Sequence, residues 1–196
     1  MDASTGQMID ERDGKPFSTE FAFTRFLVPF LQHYKGWALF QDCDMVWRAN
    51  IKDLIALCDD RYAVMCVKHN HIPLNKRKMD NQEQSRYYRK NWSSFVLFNC
   101  GHPSNRRLTL DAVNSWPGSA LHSFSWLRDE EIGDLHEDWN FLVGHSHGKM
   151  NHFPKVLHFT DGGPWFEECK NIPYAKVWEQ EWEGFERDQK EEDTAA

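Results

Sequence analysis

Residues 36–47 read Gly-Trp-Ala-Leu-Phe-Gln-Asp-Cys-Asp-Met-Val-Trp, an apolar run that ends in two carboxylates separated by one residue. A run of this length with aromatic flanks predicts a buried strand, and in open α/β sheets ligands collect where strands end. Asp42 and Asp44 thereby fall where chemistry is usually done. Two acidic side chains forced together repel unless a cation lies between them, and hard oxygen ligands suit Mn²⁺ or Mg²⁺. The pattern reads as a cation site for a diphosphate. The alternative is a strand-end turn in which one Asp caps the next helix and the other is solvated.

The chain around this strand alternates helical and extended patterns. Residues 18–34 place Phe23, Phe26, Leu27, Phe30, Leu31 and Tyr34 at helical spacing, with Ser18 as N-cap and Arg25 off the apolar stripe. Pro29 removes a backbone donor inside that segment and predicts a kink or a break. Asn50 caps a short helix carrying Ile51, Leu54, Ile55 and Leu57, with Asp53 placed to complete a capping box. Residues 62–67 and 92–98 read as two further strands, the second ending at Asn99, which puts Asn99 at the same kind of edge as Asp42. Between them, residues 68–89 are a long polar loop, of a kind that often serves as a lid. A helix near 108–114 stops before Trp116-Pro117-Gly118. This order predicts an α/β fold with a mixed or parallel sheet flanked by helices.

With 196 residues, 40% of them hydrophobic, the chain can bury one core. The net charge of -7 argues against sequence-independent nucleic-acid binding, which needs clustered Lys and Arg. Much of the negative charge lies at 179–196, an acidic tail expected to be frayed or disordered. Five cysteines without a Cys-x-x-Cys pair suggest reduced thiols, and no run is apolar enough to span a bilayer, so a cytoplasmic protein is expected. The His-x-His pairs at His69/His71 and His145/His147 lack neighbouring ligands at recognised spacing and read as solvated loop histidines. Trp92, Trp126 and Trp139 read as core rather than sugar platforms.

The downstream strand 156–159 brings a third element. It contains His158 and runs into Thr160-Asp161-Gly162-Gly163-Pro164-Trp165, where backbone without side chains can approach a phosphate closely. A His and two Asp make a three-point cation site. Asp42-Cys43-Asp44 followed by His158-Phe159-Thr160-Asp161-Gly162-Gly163-Pro164-Trp165 resembles the two signatures of family 8-like glycosyltransferases of the GT-A fold. Arg25, the Phe98-Asn99-Cys100-Gly101 stretch and Trp139-Asn140 stand in the order that family shows.

The resemblance implies a glycosyltransferase-like domain over 18–178 that transfers a sugar, with retention, from a nucleotide-diphosphate donor such as a UDP-sugar to a saccharide or lipid-linked acceptor. Asp42, Asp44 and His158 would hold the metal, Gly162, Gly163 and Trp165 would lie against the diphosphate, and Arg25 and Asn99 would contact donor sugar or acceptor. Asp129 or Glu130 would stand near the anomeric carbon. The family shows Asp-Gln where this chain has Asp129-Glu130, and a Lys before Pro-Trp where it has Gly163. It also begins with a strand and helix that hold the base, whereas residues 1–17 are a polar segment with no buried-strand run. An N-terminally truncated GT-A-like sheet is therefore expected, with an uncovered edge prone to self-association. Two rival functions are an Asp-x-Asp phosphotransferase, which lacks its downstream Lys here, and an inactive remnant that binds metal or a partner.

Overall fold

The computed structural model describes residues 8–17, 19–70, 89, 91–146 and 153–195. Most of the expected loop at 68–89, together with Ser18, His71 and His147, lies outside the described residues. The core is a four-stranded mixed sheet in the order β3 (Trp37–Gln41), β6 (Phe95–Asn99), β5 (Val64–Cys66), β7 (Ile132–Asp134). β6 runs antiparallel to both neighbours, and β5 and β7 are parallel. A second sheet orders β4 (Met45–Trp47), β9 (Val156–His158) and β8 (Phe141–Leu142), with β4 antiparallel and β8 parallel to β9. Short helices flank them, so the fold is mixed α/β.

β6 shows why the main sheet is buried on both faces. Val96 and Phe98 enter one apolar cluster with Phe26, Leu108, Leu121 and Trp126, while Phe95 and Leu97 enter another with Leu54, Met65 and Trp139. Side chains alternate faces along a strand, so a run that is apolar at every position needs cover on both sides. Trp126 and Trp139 are core residues, as their sequence context suggested. Burial pushes the Cys66 thiol up to about 12 and the Cys100 thiol to about 11, so both pack as small apolar groups.

The buried Asn105 ties this core together. Its amide nitrogen donates to the carbonyls of Ala63 (2.7 Å) and Asn99 (2.8 Å), and its oxygen accepts from the Trp126 indole (3.0 Å). Substituting Asn105 by Ala leaves the Trp126 indole N–H without its acceptor in a closed core, an unsatisfied group that costs about 1–3 kcal/mol, while the carbonyls of Ala63 and Asn99 keep the backbone N–H groups of Asn99 and His102.

Two stretches differ from the sequence expectation. Residues 18–34 do not make one helix: 3-10 turns at Glu20–Ala22 and Thr24–Leu27 precede α1 (Val28–Leu31). Pro29 sits in the first turn of α1, where its missing N–H costs nothing, and its ring would clash with a helix continuing from Arg25. The break turns Arg25 inward and leaves Phe30 and Leu31 exposed. The polar N-terminal segment, for its part, forms a hairpin of β1 (Met8–Ile9) and β2 (Pro16–Phe17) whose turn is anchored on the rest of the fold. Asp10 accepts the Gly118 N–H at 2.7 Å, and Arg12 donates to the carbonyls of Val113 and Asn114.

The remaining helices follow their signals. Asn50 caps α2 (Ile51–Ile55) by accepting the Lys52 N–H at 2.9 Å, and Thr109 caps α3 (Leu110–Ser115). Pro117 then starts α4 (Gly118–His122). The tail, expected at 179–196 to be frayed or disordered, is instead helical within α5 (Ala175–Ala195), its first turns held by Val177 and Trp178 against the core while most of its length is exposed. No helix among the described residues is long and apolar enough to cross a membrane.

Asp10 and Glu131 give the fold an acid dependence. Burial raises the Asp10 carboxyl, but the Gly118 N–H and Arg12 outweigh it and hold it below its ordinary value of 3.8. Burial likewise opposes ionisation of Glu131, while the Ser104 hydroxyl and Arg128 hold it below 4.5. Carboxylates depressed in the folded state stabilise it fully at neutral pH and stop doing so as pH falls through their folded values. Melting temperature should therefore drop once pH falls below about 4, and Asp10→Asn should lower it at pH 7 while flattening the acid limb.

Candidate metal centre

The loop Asp42-Cys43-Asp44 is the crossing point between the two sheets. Asp42 still belongs to the first, its N–H donating to the Ser94 carbonyl at 2.8 Å beside β6. Asp44 already belongs to the second, its carbonyl accepting the Phe159 N–H at 2.9 Å. The antiparallel register then sets Met45 opposite His158. Strand pairing thus carries an imidazole from more than a hundred residues downstream to the side of Asp44. His158 Nε2 lies 3.4 Å from Asp44 Oδ1, and one ligand atom each from Asp42, Asp44 and His158 fall within 4.8 Å of one another.

Arg25 is the second consequence of this packing. It is buried, places its guanidinium 3.0 Å from Asp42 Oδ1 and donates to the Ser93 carbonyl at 2.8 Å. Its charge also lies over the Phe40 ring, 4.7 Å from the centroid. One carboxylate of the pair is therefore partly neutralised by a fixed cation. The resemblance implied a contact of Arg25 with donor sugar or acceptor; the structure pairs it with Asp42.

His158 is held from behind. It is 2% exposed, and its Nδ1 lies 2.8 Å from Asn140 Oδ1. The Asn140 amide nitrogen donates to Ser94 Oγ at 2.9 Å, and the Ser94 hydroxyl donates to the Asn91 carbonyl at 2.7 Å. These supporting residues carried little signal of their own: Trp139-Asn140 was legible only as a motif in sequence, and Ser94 as one polar residue entering a strand.

The donor set suits a small divalent cation. Two carboxylates and one imidazole are the ligands Mn²⁺ accepts, and atoms at about 2.1 Å from one ion stand roughly 3 Å apart when adjacent. The observed 3.4 Å between Asp44 and His158 fits that spacing.

The other predicted site residues lie elsewhere. Asn99 pairs with Trp37, at the start of β3, whereas Asp42 follows its end. That is roughly 15 Å along the strand. The expectation of a shared edge fails because β6 is antiparallel to β3; the Asn99 amide donates to the Tyr62 carbonyl at 3.2 Å instead. Asp129 and Glu130 occupy a 3-10 turn, Asp129–Glu131, that enters β7 on the Asn99 side, where the Ala63 N–H donates to the Glu131 carbonyl. Asp129 is exposed and paired with Arg89, and Glu130 with Arg128.

Gly162 and Gly163 are buried. Gly162 has φ +128, a value open to glycine, and its N–H donates to the Phe159 carbonyl at 2.8 Å. A Cβ at Gly163 would lie 1.8 Å from the Trp165 ring, so the space a phosphate was expected to approach is filled by indole. Trp165 packs in turn on Phe159 and on Trp178, which stacks on Trp182 at 5.6 Å and 8°. His145, expected to be a solvated loop residue, instead pairs with Asp161 at 2.6 Å and pins this turn.

No protein-family model matches the chain. It is 48% identical over 182 residues to Protein CDI of Arabidopsis thaliana, covering 91% of this chain and 70% of the relative. Among solved structures it is similar to the apo bifunctional glycosyltransferase WbbM, with TM-score 0.51, 16% identity and 82% of this chain covered. It is also similar to the apo glycosyltransferase GlyE of Streptococcus pneumoniae TIGR4, with TM-score 0.57, 15% identity and 84% covered. The chain spans 37% of the WbbM chain and 43% of the GlyE chain. At these identities the likeness shows a glycosyltransferase-like fold.

The Gly163 contact yields a direct test. Gly163→Ala must displace the Trp165 ring from Phe159 and Trp178, and aromatic contacts of this kind are worth about 0.5–1.5 kcal/mol each. Thermal unfolding should shift down by several degrees, with loss of the Trp165 packing visible in near-UV circular dichroism.

Proposed function

The chain belongs to the same family as Protein CDI of Arabidopsis thaliana, and we propose that it is a metal-dependent glycosyltransferase using a nucleotide-diphosphate sugar. The observation that carries this reading is the convergence of Asp42, Asp44 and His158 at the loop where the two sheets meet. The glycosyltransferase-like fold supports it independently. A bound Mn²⁺ or Mg²⁺ would supply Lewis-acid stabilisation for a departing diphosphate.

In this reading the protein's own groups divide the work. Asp42 and Asp44 bind the cation through hard oxygens, and His158 supplies the nitrogen ligand. Arg25 fixes the Asp42 carboxylate and offsets its charge, which keeps the loop compact before a cation arrives. The Gly162-Gly163 turn continues directly from His158 and is held rigid by the His145–Asp161 pair and the Trp165 ring. The motif resemblance to family 8-like enzymes extends the proposal to a retaining transfer and a UDP-sugar donor, with a saccharide or lipid-linked acceptor. Asn99 is not carried into it, since its side chain serves the opposite edge of the sheet.

One feature favours a second reading, a metal-binding protein without turnover. Gly163 replaces the family's Lys and is packed under an indole, so that diphosphate charge contact is missing.

Calorimetry with Mn²⁺ and UDP separates the two readings from a purely structural loop. Wild type should bind UDP only when Mn²⁺ is present. Asp44→Asn should weaken Mn²⁺ binding by more than the about 10–100-fold that loss of an outer partner costs, with a melting temperature within about 4 °C of wild type. UDP-sugar hydrolysis by wild type supports the transferase, while binding without turnover supports the second reading. A variant that unfolds instead marks Asp44 as structural.

A further inference from the structure

We infer that Ser94 and Asn140 are positioning residues of the metal centre, a relay that selects the His158 tautomer and ties both arms of the site to one point. This rests on the metal-site reading above and adds to it the residues that prepare the ligand set.

The direction of every hydrogen bond in the relay is fixed by its end. The Asn91 carbonyl can only accept, so the Ser94 hydroxyl spends its single proton there, 2.7 Å away. Ser94 Oγ is then an acceptor for its other neighbour, which must be the Asn140 amide nitrogen at 2.9 Å. That choice orients the Asn140 side chain and turns its oxygen toward His158 Nδ1 at 2.8 Å. An amide oxygen only accepts, so Nδ1 carries the hydrogen. In the neutral imidazole the lone pair is then on Nε2, the atom that faces Asp44. A backbone carbonyl three hydrogen bonds away thus decides which nitrogen is offered to a cation. The interior is closed around the relay: Asn140 is 0% exposed, Ser94 4% and His158 2%, so water does not compete for these bonds.

Ser94 holds the other arm as well. Its carbonyl accepts the Asp42 N–H at 2.8 Å, and the carbonyl of the preceding Ser93 accepts from Arg25, the partner of Asp42. The 3-10 turn Trp92–Ser94 that precedes β6 therefore sets the Asp42 backbone, the Arg25 guanidinium and, through Asn140, the His158 ring. Ligands contributed by two different sheets share a common support. Outer hydrogen bonds of this kind fix tautomer and ring orientation at metal-bound histidines.

The test uses the full chain and two readouts, one of which needs no metal. In metal-free wild type, at an alkaline pH where the imidazole is neutral, 15N shifts assigned through His158→Gln should show the hydrogen on Nδ1 and a lone pair on Nε2. In Ser94→Ala the Asn140 amide loses its acceptor and is free to turn its nitrogen toward His158, so the spectrum should shift toward the Nε2–H form. Asn140→Asp, which keeps an acceptor at that position, should retain the wild-type tautomer. The Kd for Mn²⁺ alone, by calorimetry, should rise about 10–100-fold in Ser94→Ala, with circular dichroism confirming the fold.

Wild-type His158 carrying its hydrogen on Nε2 overturns the proposal, as does a folded Ser94→Ala protein with unchanged tautomer and unchanged Kd. If Ser94→Ala does not fold, the Asn140→Asp spectrum decides: a switch to the Nε2–H form overturns the relay. Failure of wild type to bind Mn²⁺ at all overturns the metal reading and this role with it, and is recognised because the tautomer pattern remains while the metal response is absent.

Discussion

Two carboxylates one residue apart, on a loop pinned at both ends by sheet hydrogen bonds, are the constraint around which this structure is arranged. Asp42 cannot drift from β6 because its N–H is bonded to Ser94, and Asp44 cannot drift from β9 because its carbonyl is bonded to Phe159. At close range in a partly desolvated site the two charges repel by several kcal/mol. Arg25 is the fixed cation brought against Asp42, and the His158 Nε2 is the ligand atom brought beside Asp44. The broken helix at 20–31, which looks like a defect in the apolar pattern, is what delivers Arg25. Its 3-10 turns and Pro29 rotate that side chain from the expected solvent face into the interior.

The architecture places this loop at a junction rather than inside one sheet. The first sheet is packed on both faces; the second is small, and its strands are two or three residues long. What fixes the second sheet against the first is the set of side chains that cross between them. The Asn140–Ser94 bond is one such crossing, and the packing of Trp139 with Trp47 and Phe95 is another. Short strands gain precision from these crossings that their own few hydrogen bonds do not supply. The geometry of a centre whose ligands come from both sheets depends on them, and so do the properties proposed for it here.

Much of this was legible in the sequence wherever the signal is local or carried by chemistry that tolerates few substitutes. The Asp42/Asp44 pair, the distant His158 and the cap at Asn50 could be read from residue type and spacing, and the structure brings the first three together. Strand direction is different. Hydrophobic alternation is the same for a parallel and an antiparallel neighbour, so nothing local revealed that β6 runs against β3 and carries Asn99 to the far edge. The hairpin at 8–17 was hidden for a similar reason. Its anchor is Asp10 meeting Gly118, and a polar residue that finds its partner 108 positions away reads as solvent-facing until the partner is known. Gly163 misled by the reverse route, since a missing side chain marks close approach without saying whether a ligand or an indole approaches.

The most direct measurement is pulsed electron paramagnetic resonance of the protein loaded with one equivalent of Mn²⁺. A single divalent ion shared by two aspartates and one imidazole predicts electron spin-echo modulation from one directly bound histidine nitrogen, lost when His158 is replaced by Gln. Modulation from water protons alone, or a nitrogen signal that survives the replacement, would mean that the ion and the His158 ring are not partners.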